Sequence, residues 1–166
     1  VIYYNLSKDD IDNKITIKIF DKDNNLVREI DNQYDNEFIT YNGGPSREPV
    51  LSSKSGINRF VWNARHKSLS GVPYAYIEGR FSGHKAIPGM YSMTLEVGEK
   101  VFTSNFEILK NPNFNVSDKD YAEFDKYTAH MEKNFNIMAN YINSNKKLID
   151  KLKDLLGEIE DSTIKN

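Results

Sequence analysis

The sequence predicts a mainly β protein with a C-terminal α extension: an antiparallel β-sandwich over residues 1–112, then a long amphipathic helix or helical hairpin over 113–166. Three observations predict it. Apolar residues alternate with polar ones in short runs up to Leu109, the period of strands with one buried face. Eight of the nine glycines precede Pro112, and only Gly157 follows it. Beyond Ser117 the apolar spacing switches to alternating threes and fours, the mark of a helical packing seam.

The strands follow in order. Val1-Ile2-Tyr3-Tyr4 opens a short apolar strand, and a polar loop runs from Asn5 to Asn13. Ile15, Ile17 and Ile19 alternate with Lys14, Thr16 and Lys18. Asp21-Lys22-Asp23-Asn24-Asn25 has turn chemistry tolerant of left-handed backbone, so Leu26 to Ile30 returns as the second arm of a hairpin. Asp31 to Ser55 reads as a long loop broken by Gly43-Gly44-Pro45 and Pro49, and loops of that length are often functional or mobile. Ile57 to Arg65 reads as a strand with Phe60 and Trp62 on one face, Trp62 serving as an inter-sheet anchor. Ser68 to Ala86 is a second loop. After Pro88-Gly89, the residues Tyr91, Met93, Leu95 and Val97 alternate with polar ones. Gly98-Glu99 makes a tight turn, and Val101 to Leu109 closes the hairpin with Phe102, Phe106 and Ile108 on one face. No helical pattern intervenes between these strands, which favours a sandwich over an α/β sheet.

The helix begins at Ser117, an N-cap followed by Asp118 and Asp120 where the helix dipole favours negative charge. Its seam comprises Phe124, Tyr127, Met131, Phe135, Met138, Ile142, Ile149, Leu152, Leu156 and Ile159, interrupted by Asn145. The alternative to one continuous helix is a break near residues 143–145. Some 40 helical residues reach about 60 Å, longer than a sandwich is wide, and a lone amphipathic helix is marginal in water. The seam therefore calls for a partner helix, from a missing part of the same chain or from a second copy.

Composition excludes several function classes. The net charge of −2 over 166 residues creates no basic field for nucleic acid. No stretch approaches the roughly 20 apolar residues of a membrane span, and no signal peptide opens the chain. The missing initiator Met suggests a piece cut from something longer. Without cysteine there are no disulfides, thiol nucleophiles or thiolate metal sites.

Candidate chemistry is sparse. Asp21 to Asn25 imitates the start of a calcium loop, but Leu26 and Asn32 occupy the positions of its glycine and glutamate, so a plain turn is the reading. His66, His84 and His130 lack ligand spacing; His66 and His84 can meet across the loop, with surface or hydrogen-bonded histidine the favoured reading. No Ser/His/Asp set, Walker loop or dinucleotide fingerprint is present, and Glu48 and Glu78 are glycosidase-type carboxylates by residue type alone. No catalytic residue, cofactor or metal is assigned. The candidate ligand-binding loop is Tyr74, Tyr76, Arg80 and Phe81, suited to stacking on sugar rings; the alternative is that these aromatics cap the sandwich or pack on the helix. Asn5-Leu6-Ser7 and Asn115-Val116-Ser117 match the glycosylation sequon.

The leading hairpin (Tyr3-Tyr4, Ile15 to Phe20, Asp21 to Arg28), Gly56-Ile57-Asn58-Arg59-Phe60-Val61-Trp62-Asn63-Ala64-Arg65 and Ala86-Ile87-Pro88-Gly89-Met90-Tyr91-Ser92-Met93-Thr94-Leu95 resemble a known arrangement. It is the Ig-like or fibronectin-like sandwich and helical region that follows the β-propeller of large secreted bacterial BNR or sortilin-type proteins, often labelled glycosyl hydrolases. Trp62 with Pro88-Gly89-Met90-Tyr91 is also similar to the Ig-like domain of flagellar hook-capping proteins. The resemblance implies an extracellular, cell-surface or periplasmic setting and a coiled-coil-type helix that continues in the parent protein. It implies no catalytic residue here, because any active site would lie in the missing propeller. The expected function is a non-catalytic accessory module that braces the propeller or mediates association, with the propeller, the missing helix and a second copy as partners. The alternatives are a polysaccharide-binding module using residues 74–81, and a fragment of a glycoside hydrolase-like enzyme.

Overall fold

A computed structural model describes residues 1–73, 75 and 78–164, with helix side chains as far as Ile159. Six antiparallel strands form two sheets, followed by one long helix. The larger sheet contains β2 (Ile15–Phe20), β3 (Leu26–Asp31), β5 (Gly89–Val97) and β6 (Lys100–Ile108) in the order β3-β2-β5-β6. The smaller pairs β1 (Ile2–Leu6) with β4 (Gly56–Phe60), register Tyr4 to Asn58.

The alternating isoleucines decide the core. Ile15, Ile17 and Ile19 on central β2 are wholly inaccessible to solvent, and Tyr4, Leu6 and Phe60 from the smaller sheet are buried in the same cluster. Removing apolar surface from water on these two faces is the main force that holds the sandwich closed. Both hairpin turns are built by their own residues. Asp21 accepts the Asp23 and Asn25 amides at 2.9 and 2.8 Å, and Asn24 takes a left-handed φ of 64°. The carboxylate that imitates a calcium ligand is thus committed to a turn. Gly98 turns β5 into β6 with φ 58°, a value that costs glycine nothing.

Three expectations need correction. The strand expected over Ile57 to Arg65 stops at Phe60, and Ala64 leaves the extended region with φ 54°. Trp62 thus lies beyond the ladder, half-buried, edge-on to Tyr91 and Phe106 at 6.4 and 6.1 Å, with its indole N–H donating to the Arg65 carbonyl at 2.9 Å. Phe102 shares the parity of Phe106 but is exposed, at the edge strand β6 and outside the buried cluster. Finally, α1 (Asp118–Ile164) runs unbroken through 143–145, so there is neither a break nor a hairpin there.

At 47 residues α1 is about 70 Å long. Its start has reciprocal capping: Ser117 Oγ accepts the Asp120 amide at 3.1 Å and the Ser117 amide donates back to Asp120 at 3.3 Å. Among the described residues, no helix is long and apolar enough to cross a membrane.

Candidate functional site

The end of the segment expected as a strand to Arg65 and the loop expected over Ser68 to Ala86 pair with each other as a short antiparallel ribbon. The Ala86 amide donates to Ala64 O at 2.8 Å, Arg65 bridges Lys85, His66 donates to His84 O at 3.0 Å, and Leu69 donates to Phe81 O at 2.6 Å. Cross-strand register therefore sets His66 against His84, and the imidazoles stack with centroids 3.8 Å apart and planes 16° from parallel. Gly83 permits the approach: a Cβ there would stand closer than 3.0 Å to the backbone of His66 and Lys67. Two arginines tie the ribbon down. Buried Arg28 of β3 donates to the His66 carbonyl at 2.9 Å and pairs with Glu48, and Arg65 donates to the Gly83 carbonyl at 2.7 Å.

The helix docks on this ribbon. Asp125, Glu132 and Ala139 stand seven residues apart, two turns each, and so share one face. Glu132 accepts the His84 amide at 2.7 Å and faces His84 Nδ1 at 2.7 Å, while Asp125 Oδ1 lies 3.1 Å from Nε2 of the same ring. Asn136 accepts the Ser70 amide at 2.7 Å, and Asn143 donates to the Gly71 carbonyl at 2.8 Å. Ala139 is wholly buried, its short side chain allowing close approach, and Phe135 meets Phe81 edge-on at 6.3 Å. Beyond Asn143 every described side chain of the helix is exposed. Burial, followed by neighbouring His84, holds the His66 imidazole below its usual range, against the pull of Asp125 and Glu132. His66 is accordingly the neutral, lone-pair-bearing partner at neutral pH.

His66, His84 and Asp125 each offer one donor atom, and these lie within 4.8 Å of one another. Two imidazoles and a carboxylate are a donor set for a divalent transition ion. No nucleophile–base pair accompanies them among the described contacts.

The predicted sites fare differently. Of the loop proposed for sugar stacking, Phe81 is buried against the helix and Arg80 is exposed, while Tyr74 and Tyr76 lie outside the described residues. Phe81 therefore has no free face to offer a ligand. Glu48 is held by Arg28 and the Ser68 amide, and Glu78 is exposed. His130 is exposed on the helix, 3.1 Å from Asn134. The seam residues Phe124, Tyr127, Met131, Met138, Ile142, Ile149, Leu152, Leu156 and Ile159 are exposed by 43–68 %, with Phe135 alone half-buried. The helix has thus docked by its polar face and left the apolar one in solvent.

No family model, curated protein or solved structure matches the chain.

Sequence reasoning missed Asp125, Glu132, Asn136, Ala139 and Asn143. Their signal was present, since small and polar residues recur at three and four beside the seam. Reading it as a docking face requires knowing that the ribbon exists.

Proposed function

We propose that the chain is a non-catalytic accessory module of a large exported protein and that it works by association, its sandwich carrying a helix whose apolar stripe packs against a second copy. The observation that carries this reading is the inverted helix: polar and small side chains meet the body, while Met138, Ile142, Ile149, Leu152 and Leu156 stay exposed. In a helix of a globular domain the apolar face is the buried one. The resemblance of the strands and helix start to the region behind secreted β-propellers supports the exported setting.

A second copy is the favoured occupant because the stripe has heptad spacing, which fits knobs of a like helix. Tyr141, Leu148 and Leu155 are exposed beside it and widen it to three positions per heptad, the width of a bundle helix more than of a two-stranded seam. Asn145 interrupts the stripe at one position, where a polar residue sets register at some cost in stability. Covering the half-exposed Ile and Leu side chains contributes roughly 1 kcal/mol each. Four such positions on each of two copies offset an association cost that starts near about 4 kcal/mol.

Sedimentation equilibrium on the chain tests the reading. The expected result is a reversible dimer or higher oligomer that Ile149→Asp with Leu156→Asp converts to a monomer of unchanged strand signal. A strict monomer at high concentration with the stripe intact overturns it, as does an oligomer indifferent to the double substitution.

A further inference from the structure

The joint between ribbon and helix carries an inference independent of the apolar stripe. His84 is buried, and both of its ring nitrogens face carboxylate oxygens, Glu132 at 2.7 Å and Asp125 at 3.1 Å. A neutral imidazole has one N–H. It satisfies one carboxylate, and the lone pair of its other nitrogen then points at an anion. That geometry is repulsive unless a cation lies between them, and the cation is either a second proton or a metal ion. The surroundings favour the ion. A second imidazole, His66, is stacked on the first at 3.8 Å, adding another nitrogen that a proton shared between His84 and Asp125 leaves unused.

We propose that His66, His84 and Asp125 bind a divalent transition ion of the zinc class, with Glu132 orienting His84. The ligand spacing suits this. Zinc bonds of about 2.0–2.1 Å put the donors of a tetrahedral site roughly 3.3 Å apart. The 3.1 Å between His84 Nε2 and Asp125 Oδ1 is one such edge. The three donors lie within 4.8 Å, and closing on an ion requires the His66 ring to turn out of its 16° stack so that its in-plane lone pair converges with the other two. Glu132 accepts from His84 Nδ1, the carboxylate–histidine–metal relay that fixes tautomer and raises ligand basicity. Arg28 and Arg65 hold the backbone on which both histidines stand, so the ligands come from a braced ribbon.

The consequence is structural. Two ligands belong to the ribbon and one to α1, so the ion is a cross-link between the sandwich and the helix. Elsewhere the described docking contacts are the hydrogen bonds of Asn136 and Asn143, buried Ala139, and the contact of Phe81 with Phe135. With three protein ligands the fourth position takes water or a donor from outside.

Titration of the metal-free chain with Co2+ and Zn2+ tests the proposal. The expected result is one Co2+ per chain with the visible absorption of a tetrahedral site, displaced by Zn2+, and a higher melting temperature of the helix signal with either ion. His84→Ala and Asp125→Asn are each expected to weaken binding by more than tenfold. Glu132→Gln should weaken it by roughly 10–100-fold while keeping one ion per chain. His130→Ala, an exposed histidine away from the cluster, should change nothing. Asp125→Asn keeps the shape of the side chain and stands in if His84→Ala fails to fold. Absence of a one-to-one Co2+ complex overturns the proposal in favour of a doubly protonated His84. So does binding that survives Asp125→Asn or that falls with His130→Ala.

Discussion

Single side chains in this protein are held by chemistry that can be probed one at a time. Arg28 is buried, and its charge is answered by Glu48 on the long loop. Burial pushes the Glu48 carboxyl up, but the Ser68 amide and Arg28 outweigh it and hold the group below the usual carboxylate range. A depressed carboxyl stabilises the fold above its ordinary pKa, and that contribution is lost as pH falls through the lower, folded value. Glu48→Gln is therefore expected to cost roughly 1–2 kcal/mol at neutral pH and to flatten the acid limb of stability against pH. Thermal melts from pH 7 to pH 3 check both effects; an unchanged acid limb contradicts the pairing. Tyr91 gives the opposite limb. Burial pushes its phenol up to about 12 from 10.0, and the O–H donates to the Ile87 carbonyl at 2.6 Å. Its contribution is complete below pH 10 and disappears as pH climbs toward 12. Tyr91→Phe should lose about 1 kcal/mol at pH 8 and become less sensitive to alkali, read from denaturant melts at pH 8 and pH 11.

Elements are decided at their ends and by what crosses them. The first turn of α1 is exposed and has little tertiary support apart from Lys110, which pairs with Asp118 at 2.6 Å. The cap at Ser117 therefore carries much of the helix start. Ser117→Ala is expected to remove about 1 kcal/mol, and amide exchange of the first turn should accelerate while residues around Ala139 stay protected. Equal acceleration along the whole helix contradicts the cap as a local device. The strands show the complementary case. β2 is held between β3 and β5, so its register is specified twice, and a one-residue slip would turn Ile15, Ile17 and Ile19 out of the core. The turn at Asp21 to Asn25 and the turn at Gly98 were readable because their residues make their own hydrogen bonds or tolerate positive φ. The extent of β4 was not. Nothing in the alternation of Phe60 and Trp62 announces that Ala64 turns into the left-handed region, a conformation uncommon for non-glycine residues.

At the scale of the whole molecule, the described hydrogen bonds between helix and body end at Asn143, and the side chains described beyond it are exposed. About 30 Å of helix follows that residue. An amphipathic segment of that length with one wet apolar face is marginal by itself. Helix content beyond Asn143 should therefore depend on protein concentration. Circular dichroism across a hundredfold dilution checks this, with the expected loss confined to the helical signal. A dilution-independent spectrum together with a monomeric mass means that the stripe needs no partner.

Strand periodicity, turn chemistry, the cap and the heptad spacing are all local, so they are written in neighbouring residues and were legible without coordinates. They suffice for a sandwich followed by a long helix, because each element's pattern names the face that must leave water. Which face of the helix meets the sandwich is a different kind of fact. It depends on the pairing of residues 64–69 with 81–86, a ladder without apolar alternation, closed across a loop that offers no register signal. Only that pairing brings His66 onto His84, and only the docked helix brings Asp125 and Glu132 to them. The apolar stripe was visible in the sequence; that the fold leaves it uncovered while burying a polar one was settled by long-range contact alone.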